Sequence, residues 1–300
     1  MTTSRTVAIV LAAGLGTRMG STLPKVLHPL AGRPMLLNLL ETLESLSPDR
    51  TVVVIGPEMD NVGTIVDGHR LKPEIVVQKE RLGTGHALMA ARDYFDDANG
   101  TVLVLYGDTP LLTTTTMQAL KSAQQKDDNL AVAVLGFQPT QAGDYGRLIL
   151  DNDFKLLEIV EAKDATPKQL ATTLCNSGVL AIDATELPSL LDQLRNNNAK
   201  GEFYLTDIVA LALAKGRSCA VVEGVESELM GINTMVDLAH AEAIMQERLR
   251  LKVMSEGVAL VDPSTVYFSW DTKLGRNVTI SPNVIFGPGV SVGDDVEIRA

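Results

Sequence analysis

The chain has 300 residues, 45% of them hydrophobic, enough for a sizeable core in about two domains. A formal net charge of -11 excludes non-specific binding to nucleic acid or to an anionic membrane surface, so a local cluster of cations must serve a local anion. Two cysteines, Cys175 and Cys219, are too few for a disulfide framework and are not spaced as a metal site; they read as small core residues of a cytoplasmic protein, and the short apolar run Val7 to Ala13 is neither a signal peptide nor a membrane span.

The first element is Thr6 to Leu11, apolar and β-branched without polar alternation, as expected of a parallel strand buried on both faces. It runs into Leu11-Ala12-Ala13-Gly14-Leu15-Gly16-Thr17-Arg18-Met19, followed by Leu23-Pro24-Lys25. A glycine-rich turn at a carboxyl strand end, with two cations close by, suits phosphate: the backbone can approach the anion and its N–H groups point at it. The spacing is not that of a P-loop, because Gly20 is followed by Ser21-Thr22 rather than by Lys and Ser/Thr. A dinucleotide fingerprint is half met by Gly14 and Gly16, but Met19 stands where its third glycine belongs, and the next strand ends in Gly56-Pro57 rather than in an acidic residue. A plain left-handed glycine turn, with Arg18 and Lys25 as surface cations, is the structural alternative.

Further strands are expected at Val52 to Ile55, Glu74 to Val77, Val102 to Leu105 and Leu130 to Leu135, separated by helical stretches such as Met35 to Leu46 and His86 to Tyr94. This alternation predicts crossover units and a mainly parallel α/β sheet. The stretch Gln78-Lys79-Glu80-Arg81-Leu82-Gly83-Thr84-Gly85-His86 follows a strand, and the Gln78 amide could read a base edge because it presents donor and acceptor together. Leu103 to Asp108 is a buried strand ending in glycine and a carboxylate, which suits a hard cation beside phosphate; its alternative is an N-cap for a segment starting near Pro110.

Thr234 with Asp237 at capping-box spacing opens an amphipathic helix through about Lys252. Beyond it apolar residues recur every six positions. Leu274, Ile280, Phe286, Val292 and Ile298 form one register and Val278, Val284, Val290 and Val296 a second, the pattern of a parallel β-helix. The pattern stops at Ala300 without a polar cap, as expected of a piece of a longer protein.

Taken together these residues resemble the sugar-nucleotide pyrophosphorylases, most closely the bifunctional bacterial N-acetylglucosamine-1-phosphate uridyltransferases/glucosamine-1-phosphate acetyltransferases. The carriers are the first loop with Leu23-Pro24-Lys25-Val26-Leu27, Gln78 with Leu82 to Ala87, Leu105 to Asp108, Tyr145-Gly146-Arg147, Ile159 to Ala165, Asn176-Ser177-Gly178, Asn196 to Asp207, Gly231-Ile232-Asn233 and the hexapeptides. The first loop alone would indicate only nucleotidyl transfer. The resemblance implies a Rossmann-like nucleotidyltransferase domain over residues 1–233, a linker helix over 234–255 and the start of a left-handed β-helix over 256–300. It also implies transfer from UTP to N-acetylglucosamine 1-phosphate with Mg²⁺. Leu11, Ala12, Ala13 and Gly14 would hold uridine and phosphates, Gln78 and Gly83 the uracil, and Arg18 and Lys25 the phosphates and departing pyrophosphate. Thr84, Tyr106, Gly107, Gly146, Glu161 and Asn176 match positions around the ribose and the sugar, and Asp108 and Asn233 match the metal ligands. Phe203 departs from the tyrosine expected there. In this family a longer parent would form a homotrimer through its β-helix; acetyl transfer is expected to be absent from so short a coil. The rival readings are a nicotinamide-dependent oxidoreductase and a non-catalytic nucleotide-sensing scaffold.

Overall fold

The computed structural model describes residues 5–96, 99–198 and 200–299. Ala199, inside the Asn196 to Asp207 stretch, and Ala300 lie outside the described residues. The strands in chain order are β1 (Arg5–Leu11), β2 (Arg50–Ile55), β3 (Glu74–Val77), β4 (Gly100–Tyr106), β5 (Leu130–Phe137), β6 (Arg147–Leu150), β7 (Leu156–Val160), β8 (Cys175–Asp183) and β9 (Ser218–Glu223). They form one nine-stranded sheet with the spine β9-β5-β8-β4-β1-β2-β3, to which the β6–β7 hairpin is added through β8. Neighbours on the spine are parallel except for β8, which runs antiparallel to both β4 and β5. The expected mainly parallel sheet is therefore present, with one reversed strand near its middle.

Burial on both faces explains the uninterrupted apolar strands. Along β1, Val7, Ile9 and Leu11 pack into one core with Ala87 and Leu88 of the helix Thr84–Ala90. Ala8 and Val10 pack into the other with Leu36, Leu39, Leu40 and Leu43 of α1 (Met35–Leu46) and Met117 and Leu120 of α2 (Thr114–Gln125). The period-2 alternation of side chains thus sends neighbouring residues into opposite layers, and no strand position in the middle of the sheet needs to be polar. Cys175 and Cys219 are buried and free, as their reading as core residues requires.

The helix expected from Thr234 runs Met235–Ser255 and carries the capping box, with Thr234 accepting from the Asp237 amide and Asp237 accepting from the Thr234 amide. It is tied to the α/β body by Glu242, whose carboxylate accepts the Ala31 N–H at 2.7 Å. Gln246 bonds both the N–H and the C=O of Phe268, Trp270 N–H donates to Ala31 C=O at 2.9 Å, and the Arg33 guanidinium lies 4.1 Å from the Trp270 ring. Past the helix, two-residue strands pair in parallel, Lys273–Leu274 with Ser291–Val292 and Thr279–Ile280 with Glu297–Ile298. The step is 18 residues, three six-residue units, and polar contacts repeat it: Asn277 donates to Asp295 at 3.0 Å across an 18-residue separation. The apolar registers point inward around Val266, Phe268, Val278, Ile280 and Phe286, where the Phe268 and Phe286 rings stack at 5.2 Å. No helix among the described residues is long and apolar enough to cross a membrane.

Candidate active site

The carboxyl ends of β1 and β4 meet because the strands are register partners, Leu11 opposite Tyr106, and the loops leaving them are tied: Gly107 N–H donates to Leu11 C=O at 3.0 Å and Ala12 N–H to Val54 C=O at 2.8 Å. The first loop turns at Gly16, which adopts φ +64°. A Cβ at Gly16 would stand 2.6 Å from the Lys25 Cβ, so glycine is required both for the left-handed turn and for bringing Lys25 against the loop. Lys25 opens a single 3₁₀ turn, Lys25–Leu27, whose Val26 and Leu27 are buried anchors.

Four side chains from distant parts of the chain converge here. The Lys25 ammonium donates to the Asp108 carboxylate and, at 3.2 Å, to the Asn233 amide oxygen. Arg18 donates to the same Asn233 oxygen at 2.9 Å and lies 3.9 Å from Asp144. Asn233 is delivered by the backbone, since Ile232 N–H donates to Asp108 C=O at 3.0 Å, and its amide is oriented by donation from Nδ2 to Gly231 C=O at 3.2 Å. That leaves the Asn233 oxygen facing the cations. Asp108 is not a helix cap: the helix Thr114–Gln125 is capped by Thr113, whose hydroxyl accepts from Thr116 N–H.

On one side of this cluster lies a cavity of about 330 Å³ lined by Leu11, Ala12, Ala13, Gly14, Lys25, Gln78, Gly83, Thr84, Tyr106 and Asp108, among others. On the other lies a polar chamber of about 380 Å³ that includes Arg18, Glu161, Lys163, Lys200 and Tyr204. Of the residues singled out from sequence, Gly107, Gly146, Asn176 and Asn233 line neither chamber. Gly107 and Asn176 stand behind the walls, the latter buried, with its N–H on Gly146 C=O at 2.8 Å and its side-chain oxygen on Gly178 N–H at 2.9 Å. Arg81 and Glu202 line the first cavity without having been singled out. Arg81 donates to Ala13 C=O at 3.0 Å and to Pro57 C=O at 3.3 Å, bracing the first loop from the neighbouring one. A cation three residues after Gln78 was the sequence signal of Arg81; Glu202 lies in the Asn196 to Asp207 stretch that carries the resemblance, where no role was attached to it.

Burial pushes the Tyr106 phenol well above its ordinary range, against a hydrogen bond with Thr84, so this group enters the cavity as a neutral hydroxyl. Burial also raises the Glu161 carboxyl, opposed by the Thr206 hydroxyl donating at 3.1 Å and by Lys200. Apart from this site, the ligand atoms of Glu41, Glu44 and His69 converge on and beside α1, but Arg70 already lies 3.0 Å from Glu41 and 3.2 Å from Glu44, which makes this an ion-pair cluster.

The arrangement is a cleft with a mostly apolar chamber, a polar chamber and two cations with two oxygen donors between them, suited to holding two anionic molecules end to end. A family model described as MobA-like NTP transferase domain matches residues 8–175, which contain the first loop, Lys25, Gln78 and Asp108. The chain belongs to this family of NTP transferase domains. The domain's relatives include the "Bifunctional protein GlmU" of Paramagnetospirillum magneticum, 54% identical over all of this chain and 66% of that protein. The protein of the same name from Rhodospirillum rubrum is 54% identical over 92% of this chain and 61% of its own length. The chain thus spans somewhat under two-thirds of these relatives. Among solved structures, the inositol-1-phosphate CTP transferase from T. maritima superposes with a TM-score of 0.62 at 17% identity, over 81% of this chain and 96% of its own, a likeness of fold.

Proposed function

We propose that this transferase domain moves a uridylyl group from UTP to N-acetylglucosamine 1-phosphate, forming UDP-N-acetylglucosamine and pyrophosphate. The observation that carries the reading is the convergence of Arg18, Lys25, Asp108 and Asn233 between two chambers of unlike polarity. Gln78 and Gly83 would take the uracil in the first chamber. Thr84 and Tyr106 would border the ribose and Glu161 the N-acetylglucosamine, with Gly107, Gly146 and Asn176 backing these contacts from behind the chamber walls, and Leu11 to Gly14 holding the uridine and phosphates through the backbone.

In the reaction an oxygen of the sugar phosphate attacks the α-phosphorus of UTP in line. The new O–P bond forms as the bond from the α-phosphorus to the α–β bridging oxygen breaks, and the electron pair leaves with pyrophosphate. The nucleophile is already an anion, so no base and no covalent enzyme intermediate are needed; the side chains have to align two polyanions and offset their repulsion. Lys25 and Arg18 are placed to do so from the junction of the chambers.

The donor set fits a hard divalent cation. Asp108 and Asn233 present one carboxylate and one amide oxygen to a single ammonium, and Mg²⁺ characteristically takes one or two such oxygens, completing its shell with waters and substrate phosphates. Asp108 and Asn233 would hold Mg²⁺, which when bound polarises the phosphates and neutralises developing charge.

We further propose that residues 1–233 are the catalytic domain, 234–255 a linker helix and 256–300 the first coils of a left-handed β-helix. The 18-residue pairing step and the inward apolar registers support the last assignment. In a longer parent this coil would assemble a trimer. A cytoplasmic setting agrees with the two free buried cysteines.

The test is pyrophosphate release from UTP plus N-acetylglucosamine 1-phosphate, with Mg²⁺ and with chelator. Release that needs both substrates and the metal is expected; UTP binding without release would favour a nucleotide-sensing scaffold instead.

A further inference from the structure

We infer that His86, held in place by Phe203, is a positioning residue that orients the Gln78 amide and thereby sets the preference for uracil over cytosine. The inference rests on the uridylyl-transfer reading given above, in which Gln78 meets the base.

Gln78 is 3% exposed and lines the first cavity, so its amide cannot rely on bulk water to satisfy either end. Its Nε2 lies 3.1 Å from Gly83 C=O and 3.2 Å from the His86 Nδ1. A backbone carbonyl only accepts, so the edge facing Gly83 must be the NH₂, and its second hydrogen then faces His86. That hydrogen needs a lone pair on Nδ1, which places the imidazole proton on Nε2. The other edge of the amide, Oε1, has no hydrogen-bond donor among the described residues and is left for a ligand in the cavity. Uracil offers an N3–H donor to such an oxygen, whereas cytosine offers a lone pair at N3. Turning the amide over to suit cytosine would set Oε1 against both Gly83 C=O and the Nδ1 lone pair, leaving buried polar atoms unpaired.

His86 is itself held from behind. Its ring stacks on Phe203 with centroids 6.2 Å apart and planes 27° from parallel. Phe203 is fixed through its backbone, donating from N–H to Leu82 C=O at 2.7 Å and accepting from Gly85 N–H at 2.8 Å. Gly83 makes this approach possible: it has φ +100°, and a Cβ there would stand 2.8 Å from Phe203 C=O. Neither His86 nor Phe203 lines the cavity, so any influence on the base passes through Gln78.

The experiment measures kcat/KM for UTP and for CTP, with N-acetylglucosamine 1-phosphate and Mg²⁺, in the unmodified chain and in His86→Ala, His86→Asn and Phe203→Leu. The unmodified chain should favour UTP. His86→Ala should lower the UTP:CTP ratio roughly tenfold, the worth of one oriented hydrogen bond, mainly through KM for UTP. His86→Asn, whose Oδ1 stands where Nδ1 stood, should recover most of the ratio, and Phe203→Leu should lie between. An unmodified chain that turns over neither nucleotide overturns the uridylyl-transfer reading itself. An unmodified chain that favours UTP, beside a His86→Ala variant with the same ratio or an Asn variant no better than Ala, overturns the positioning role alone. If His86→Ala does not fold, an unchanged ratio in Phe203→Leu overturns it.

Discussion

The first chamber, around Gln78, and the cation cluster next to it grow from the same strand ends, yet they hold their groups by different means. The Gln78 amide is buried and held by one backbone carbonyl, Gly83 C=O, and by the His86 ring, so its orientation is settled before anything binds. In the cluster the side chains are charged and hold one another, Lys25 on Asp108 and Asn233, and Arg18, whose side chain is 61% exposed, on Asn233. Rigid neutral hydrogen bonding discriminates between ligands of similar shape, while charges that can exchange an internal partner for a phosphate lower the barrier to phosphoryl transfer. Substitutions in the two regions should therefore fail differently, the first in choice of nucleotide and the second in rate.

The largest effect is expected at the cluster. Asp108→Ala removes the carboxylate that meets Lys25 and, in the proposed reaction, the metal; turnover should fall by about 10²–10³-fold. Because the Lys25 ammonium would keep only the Asn233 oxygen as partner, the thermal midpoint should fall as well; rates measured well below that midpoint separate the two effects, and near-normal rates would remove Asp108 from the metal site.

A sharper probe leaves every functional group in place. Gly16→Ala forces a side chain into a left-handed turn, at a cost of about 1–2 kcal/mol, and into the Lys25 Cβ. Turnover should fall about tenfold, the rate effect of roughly 1.4 kcal/mol, with the UTP:CTP ratio unchanged because Gln78 is not disturbed. A shift in that ratio would mean that the two regions are coupled.

The smallest effect concerns the polar chamber. Burial raises the Glu161 carboxyl in the folded chain, so the fold binds its proton more tightly than the unfolded chain does. The corresponding stability is complete below the ordinary carboxylate range and is lost as pH rises through the raised folded value. Glu161→Gln should then raise the melting temperature slightly at neutral pH, and the gain should vanish on acidification below that range. Melting curves of both proteins at the two pH values decide it. The same variant should weaken binding of the sugar phosphate and leave the nucleotide preference alone.

Much of this architecture was legible along the chain. Thr6 to Leu11 could only be a strand covered on both faces, and the Thr234–Asp237 pair marked a helix start that the fold reproduces. Such features are local: burial period, turn chemistry and capping are decided within a few residues. The reversed strand Cys175–Asp183 was not legible, because direction in a sheet depends on where the returning chain finds an edge, not on the strand's own pattern. Nor was the bracing of Ala13 by Arg81.

The sequence by itself determined the layers of the α/β body, the glycine turn with its two cations and the buried strand ending in Asp108, since each follows from the spacing of apolar and turn residues. Only the tertiary structure decided that Lys25 meets Asp108 and Asn233, 83 and 208 residues away, and that the Gln78 amide nitrogen lies on Gly83 C=O and beside His86 Nδ1. Contacts across such separations are created by crossover connections and by the packing of two cores on one sheet, which no local pattern of residues encodes.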